Sequence, residues 1–266
     1  MSTAVARQGS FLKSLVIQSR ILGALVMREL ITRYSRHNIG FLWLFVEPMM
    51  FTGGVLILWS IRGIHEGHLP LVPFVLTGYS SVLLWRSTIG RCGNALEPNR
   101  TLLHHRNVRV VDFFLARIIL EVSGTTVSFV FLTSLMLVSG LTKAPYDLFE
   151  VVMAWILMAW FAAGAALLLG AMSTLSETVD RVWHVVSYLF LPLSGAFFAV
   201  DWLPYKVQKI ALYIPTVNGA ELFREGFFGP VLHCHYNLPY FIFVNIFLSL
   251  AGMYMVKLAS SRVEGG

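Results

Sequence analysis

RELITRYSRHNIGFLWLFVEPMMF, residues 28–51, changes character halfway along. Its first part is basic and amphipathic. Its second part is strongly apolar, yet it holds a carboxylate, Glu47, and a helix breaker, Pro48. A helix needs about 20 apolar residues to cross the hydrocarbon core of a bilayer. Scanning outward from this stretch finds six such windows, 41–61, 69–85, 113–138, 151–172, 182–200 and 239–256. The composition agrees: 56% of the 266 residues are hydrophobic and 13% charged, at a mean hydropathy of +0.70. That exceeds what the core of a water-soluble domain requires. The expectation is an all-α integral membrane protein with six transmembrane helices. Residues 1–40 read as a cytoplasmic amphipathic interface segment, 41–258 as a single transmembrane domain and 259–266 as a cytoplasmic tail.

Lys and Arg collect on the cytoplasmic side of membrane proteins. Arg7, Lys13, Arg20, Arg28, Arg33 and Arg36 precede the first window, and Arg86, Arg91, Arg100, Arg106 and Arg109 follow the second. Arg181, Lys257 and Arg262 fall on the same side, whereas the alternate connections hold only Arg62, Lys143, Lys206, Lys209 and Arg224. Both termini are therefore expected in the cytoplasm. The net charge of +6 follows this topology, so no nucleic-acid partner is needed to explain it. The first 40 residues lack an apolar core followed by a small-residue cleavage site, so the first span is expected to act as the insertion signal. Cys92 and Cys234 then lie on opposite faces of the membrane and cannot pair.

Three local patterns refine this outline. Phe11, Leu15, Leu22, Leu25 and Val26 share one face of a helix over residues 10–28, with Lys13, Arg20 and Arg28 opposite. Such a helix lies on the membrane, as a generic anchor or as the contact to a cytoplasmic partner. In the fourth window Ala162, Ala166 and Gly170 recur every four residues and permit close approach of another helix, in this chain or in a second copy. Residues 201–238 carry short apolar runs broken by Pro204, Pro215, Gly219, Gly226 and Gly229. None is long enough to span, so short interfacial or re-entrant helices are expected there.

The motifs of soluble catalysis are missing. The chain has no HExxH, no GxSxG and no GxxxxGK[ST], so it is not expected to be an enzyme, and any nucleotide must be bound by another subunit. His233, Cys234 and His235, with His65 and His68, do not form a ligand set with metal-site spacing, and no metal or catalytic residue is assigned. The ionisable groups inside the windows are then the candidates. Arg117 and Glu121 stand four apart and can pair on one helical face. Pro48 removes a backbone donor and clashes with the carbonyl of Leu44. A kink is expected there, with Glu47 and Pro48 facing a cavity or a helix interface. The connection at 93–112 mixes Asn94, Glu97, Asn99, His104, His105 and Asn107 with Leu102, Leu103, Val108, Val110 and Val111, a pattern suited to a cytoplasmic partner.

MRELITRYSRHNIGFLWLFVEPMM at 27–50 closely resembles the start of the permease subunits that export capsular polysaccharide, members of the type-2 ABC exporter superfamily. LPLSGAFFAVDWLP at 191–204 and GAELFREGFFG at 219–229 also fit. The resemblance implies a homodimer bound to two copies of a separate ATPase subunit that carries ATP and Mg, with no cofactor on this chain. It implies a coupling helix at Glu97, Pro98, Asn99, Arg100, Leu102, Leu103, His104, His105 and Asn107. The interface helix carries Lys13, Arg20, Arg28, Glu29 and Arg33, and two re-entrant helices follow Asp201. The cargo implied is an acidic, lipid-linked polysaccharide crossing the bacterial inner membrane, passed on by periplasmic and outer-membrane export proteins. Phe41, Trp43, Phe45, Phe51, Trp59, Tyr79 and Trp85 are aromatics able to stack on sugar rings; with Glu47 and Pro48, all but Trp59 make up the candidate conduit or gate. O-antigen or teichoic acid cargo on the same machine, an intramembrane transferase and a proton-coupled carrier are the alternatives.

Overall fold

The computed structural model describes residues 2–34, 42–62, 70–93, 95–96 and 108–264. Among them the secondary structure is helical throughout. In chain order the helices are α1 (Ser2–Tyr34), α2 (Trp43–Arg62), α3 (Leu71–Cys92), α4 (Val110–Val138), α5 (Leu148–Leu175), α6 (Glu177–Leu189), α7 (Tyr205–Ala211), α8 (Pro215–Phe228) and α9 (Leu238–Glu264). Three of these, α4, α5 and α9, are long and apolar enough to cross a membrane.

α5 stands at the centre, against α9, α3 and α8. Asp147 starts it by accepting the amide of Glu150 at 3.1 Å, a side-chain cap for one of the orphan donors of the first turn. Its small residues then set the packing. A Cβ on Gly164 would meet Leu248 of α9 at 3.1 Å, and one on Gly252 of α9 would meet Leu167 at 2.8 Å. On another side, a Cβ on Gly170 would meet Phe114 of α4 at 2.8 Å and the carbonyl of Cys92 at 2.9 Å. Ala162 and Ala166 are buried. The neighbours of the small-residue ridge are thus helices of the same chain.

The second contributor to the core is α8. Pro215 starts it and Gly229, at φ 56°, ends it in a conformation that costs glycine nothing and other residues much. Side chains from Thr216 to Phe228 are buried with the single exception of Glu225, which is half-buried. Gly219 and Gly226, two turns apart, bring α8 against Met158 and Val151 of α5. Phe129, Trp155 and Phe223 stack together with ring centroids 4.9 to 5.4 Å apart, which ties α4, α5 and α8 into one core.

The fifth expected window is corrected. Residues 182–200 do not form one helix: α6 is separated from α5 only by Ser176, and it ends at Leu189. Short 3₁₀ turns follow at Leu191–Leu193 and Val200–Trp202. Pro192 has no amide to donate, and Gly195 takes φ 84°, so a regular helix cannot continue. The second window extends seven residues further than expected, to Cys92. α2 runs as one helix on both sides of Pro48; the side chains of Trp43, Phe45, Glu47, Pro48, Phe51 and Trp59 lie outside the described residues, as do Phe41, the Arg33 side chain and the coupling segment 97–107.

Candidate functional site

Apolar helices leave few places for charge, so the buried ionic groups mark where the fold spends polarity. They form two clusters at opposite ends of α3.

The first joins α1, α3 and α4. Arg117 Nε lies 2.9 Å from Glu29 Oε1, with both side chains largely buried, and its Nη1 donates to the Arg91 carbonyl at 2.6 Å. That carbonyl belongs to the last turn of α3, where a guanidinium also meets the negative end of the helix dipole. Arg91 Nε in turn lies 3.8 Å from Glu121 Oε1. The expected Arg117 and Glu121 constellation is therefore distributed: each side chain reaches a partner on a different helix. One α1 face, with Gln18, Ile21, Leu22, Leu25 and Glu29, is turned inward. Gln18 Nε2 donates to Asp112, whose other oxygen accepts the Arg109 amide at 2.8 Å and so caps α4. Lys13 and Arg20 are exposed and Arg28 is half-buried. Leu15, Val16 and Ile17 are about half exposed, so Leu15 departs from the inward face it was expected to share with Leu22, Leu25 and Val26.

The second cluster escaped the sequence reading. Glu221 and Arg224, in the stretch GAELFREGFFG, are fully buried one turn apart on α8, with Oε1 and Nη1 3.6 Å apart. Arg224 donates to the carbonyls of Phe198 and Ala196, both at 2.7 Å, and its guanidinium lies 4.0 Å from the Phe74 ring centroid. Glu221 accepts the amides of Val200 at 3.2 Å and His235 at 3.1 Å. Asn218, one turn earlier, donates to the carbonyls of Leu212 and Ile214 and accepts the amide of Asn237 at 2.7 Å. Phe74 stacks on Trp202 at 4.8 Å. A Cβ on Gly78 would collide with the Ala196 carbonyl and reach Arg224 at 2.7 Å. The irregular stretch 190–203 bonds to itself only within its two 3₁₀ turns, and the carbonyls of Ala196 and Phe198 and the amide of Val200 find their partners on α8 side chains. The available signal was Asn218, Glu221 and Arg224 at intervals of three, a polar stripe along a helix whose other side chains are mostly apolar.

Tyr79 and Trp85 of α3 lie on different faces. Trp85 is 1% exposed, edge-on to Trp183 and Phe190 at 6.4 and 5.9 Å. Tyr79 faces Phe197 at 6.5 Å. Cys92 and Cys234 form no disulfide with each other. Burial, helped by the nearby Glu221 carboxylate, pushes the Cys234 thiol above its ordinary value, which keeps it protonated.

Comparison with known proteins gives this arrangement its context. The family model for the ABC-2 type transporter matches residues 20–228. The capsule polysaccharide export inner-membrane protein CtrC of Neisseria meningitidis serogroup B is 43% identical over 96% of this chain and 97% of its own length. The capsule polysaccharide export inner-membrane protein BexB of Haemophilus influenzae is 40% identical over 97% of both chains. The polysialic acid transport protein KpsM of Escherichia coli is 26% identical over 88% of this chain and 93% of its own. An all-helical body with apolar spans, matched end to end by these relatives, belongs to the membrane family of ABC-2 type transporters, among the capsule polysaccharide export inner-membrane proteins.

Proposed function

We propose that this chain is the inner-membrane permease of an ABC exporter for capsular polysaccharide, powered by a separate ATPase subunit. The carrying observation is the end-to-end match at 43% identity to a capsule polysaccharide export protein. The sequence has no phosphate-binding loop of its own, so nucleotide chemistry falls to a partner. On this reading the working unit is two permeases with two ATPases. α1 lies at the cytoplasmic surface, and the segment from Glu97 to Asn107 takes the push of the ATPase. The chain crosses the membrane six times with both termini inside, the fifth crossing being the interrupted passage from α6 onward. α7 and α8 dip into the outer leaflet, and Glu47 and Pro48 help shape a conduit for an acidic, lipid-linked polymer.

Buried polar side chains support this reading of α8. A short helix holding an ion pair at membrane depth is tolerated only inside protein, and Glu221 and Arg224 meet that condition. The test is ATP hydrolysis by the cognate ATPase, alone and with this protein in lipid nanodiscs. Copurification, with hydrolysis that alanine substitutions across 97–107 uncouple from export, is the expected result. An ATPase that neither binds nor responds overturns the proposal. Replacing Glu47 with Gln and Pro48 with Ala tests the conduit separately, and full export from both removes those residues from it.

A further inference from the structure

Arginines within α3, α4 and α8 have carboxylate partners in three cases: Arg91 with Glu121, Arg117 with Glu29, and Arg224 with Glu221. Arg86 of α3 is the exception. Among the described residues no carboxylate pairs with it; its guanidinium lies instead over the ring of Tyr188 on α6, 3.9 Å from the centroid. It stands six residues before the end of α3, about 9 Å inward at 1.5 Å per residue. The Tyr188 ring holds the side chain sideways toward α6, so it is not simply extended to the nearest polar surface. The closest acid along α6, two turns back, is Asp180, which lies against Gly93 and within 3.9 Å of His184.

The surroundings suit an anion. Tyr79 lies two turns before Arg86 on the same face of α3. Arg86 is half-buried and Tyr188 exposed, so the stacked pair is open on one side. A guanidinium stacked on a ring keeps its in-plane N–H groups available, and those groups match the two oxygens of a phosphate or carboxylate. A half-buried cation with no carboxylate partner among the described residues is costly unless something neutralises it.

We infer that Arg86, with Tyr188 beneath it, forms a binding site for an oxyanion borne on a lipid or a sugar at the α3–α6 face. The inference rests on the proposed permease function, in which such an anion travels with the cargo or belongs to the surrounding leaflet.

The test uses the purified permease–ATPase complex in detergent, with short-chain phosphatidylglycerol and hexagalacturonate as probes. R86Q is expected to weaken one of them about tenfold or more, as losing a charge-assisted hydrogen bond does, while R86K retains most of the affinity. Loss confined to the phospholipid assigns a phosphate, and loss confined to the oligosaccharide assigns a sugar carboxylate. R86Q is also expected to keep the thermal stability of the parent, in contrast to R117Q and R224Q, which strand buried carboxylates. Unchanged binding of both probes overturns the site, and so does an R86Q protein that elutes as a monomer where the parent is a dimer, since Arg86 then pairs across two copies. A parent protein that neither holds the ATPase nor supports export indicts the permease reading instead.

Discussion

Arg224 serves four groups at once: two carbonyls of the 190–203 stretch, the Glu221 carboxylate and the Phe74 ring. Removing one member of a buried ion pair costs about 3–5 kcal/mol, because the other is left charged and desolvated. R224Q is therefore expected to lower the melting temperature in detergent strongly and to abolish export. R224K keeps the charge but lacks the planar fork that serves two carbonyls at once, so it is expected to lie between R224Q and the parent. Gly78→Ala tests the same contact from the other side, since its methyl group collides with the Ala196 carbonyl; loss of export with insertion retained is the expected outcome, scored by membrane-fraction immunoblot and capsule staining. The cysteines report on packing: Cys92 is fully buried and Cys234 is held as the thiol, so intact protein should resist maleimide, and denatured protein should take up two labels by mass spectrometry.

At the scale of elements, α1 is attached by a few specific contacts. Gln18 with Asp112 and Glu29 with Arg117 lie at the two ends of its inward face, with Leu25 buried between them. Glu29→Arg places two guanidinium groups together and is expected to loosen α1 from α4. Limited trypsin digestion reads this directly as faster cleavage at Arg20 and Arg28, and the E29R/R117E double variant should restore protection. If the single variant is as resistant as the parent, the ion pair does not hold α1. Between α5 and α9 the controlling feature is volume. Gly164→Leu or Gly252→Leu forces side-chain bulk into a helix crossing that has no space for a Cβ, and overpacking of this kind costs about 1–3 kcal/mol. Lower melting temperatures in detergent are the expected readout, while Gly53→Ala, with open space around it, should be neutral.

For the whole molecule, legibility followed the range of the interactions. Helical spacing and apolar length are local, so the spans α4, α5 and α9, a helix over residues 10–28 and the short helices after residue 201 could be read from the chain; so could Ala162, Ala166 and Gly170 as a close-packing ridge. The family could be read as well, because its motifs are contiguous. Tertiary structure alone decided that the ridge packs within one chain, and that Arg117 and Glu121 reach Glu29 and Arg91 across helices, since a pair four residues apart and a pair 88 apart are indistinguishable in a linear pattern. It also decided the break in the fifth window: Pro192 and Gly195 permit an interruption, and Glu221 and Arg224 supply the hydrogen bonds that the backbone of Ala196, Phe198 and Val200 needs there. Propensity is a property of a segment, whereas satisfying a buried backbone group requires a partner from elsewhere in the fold.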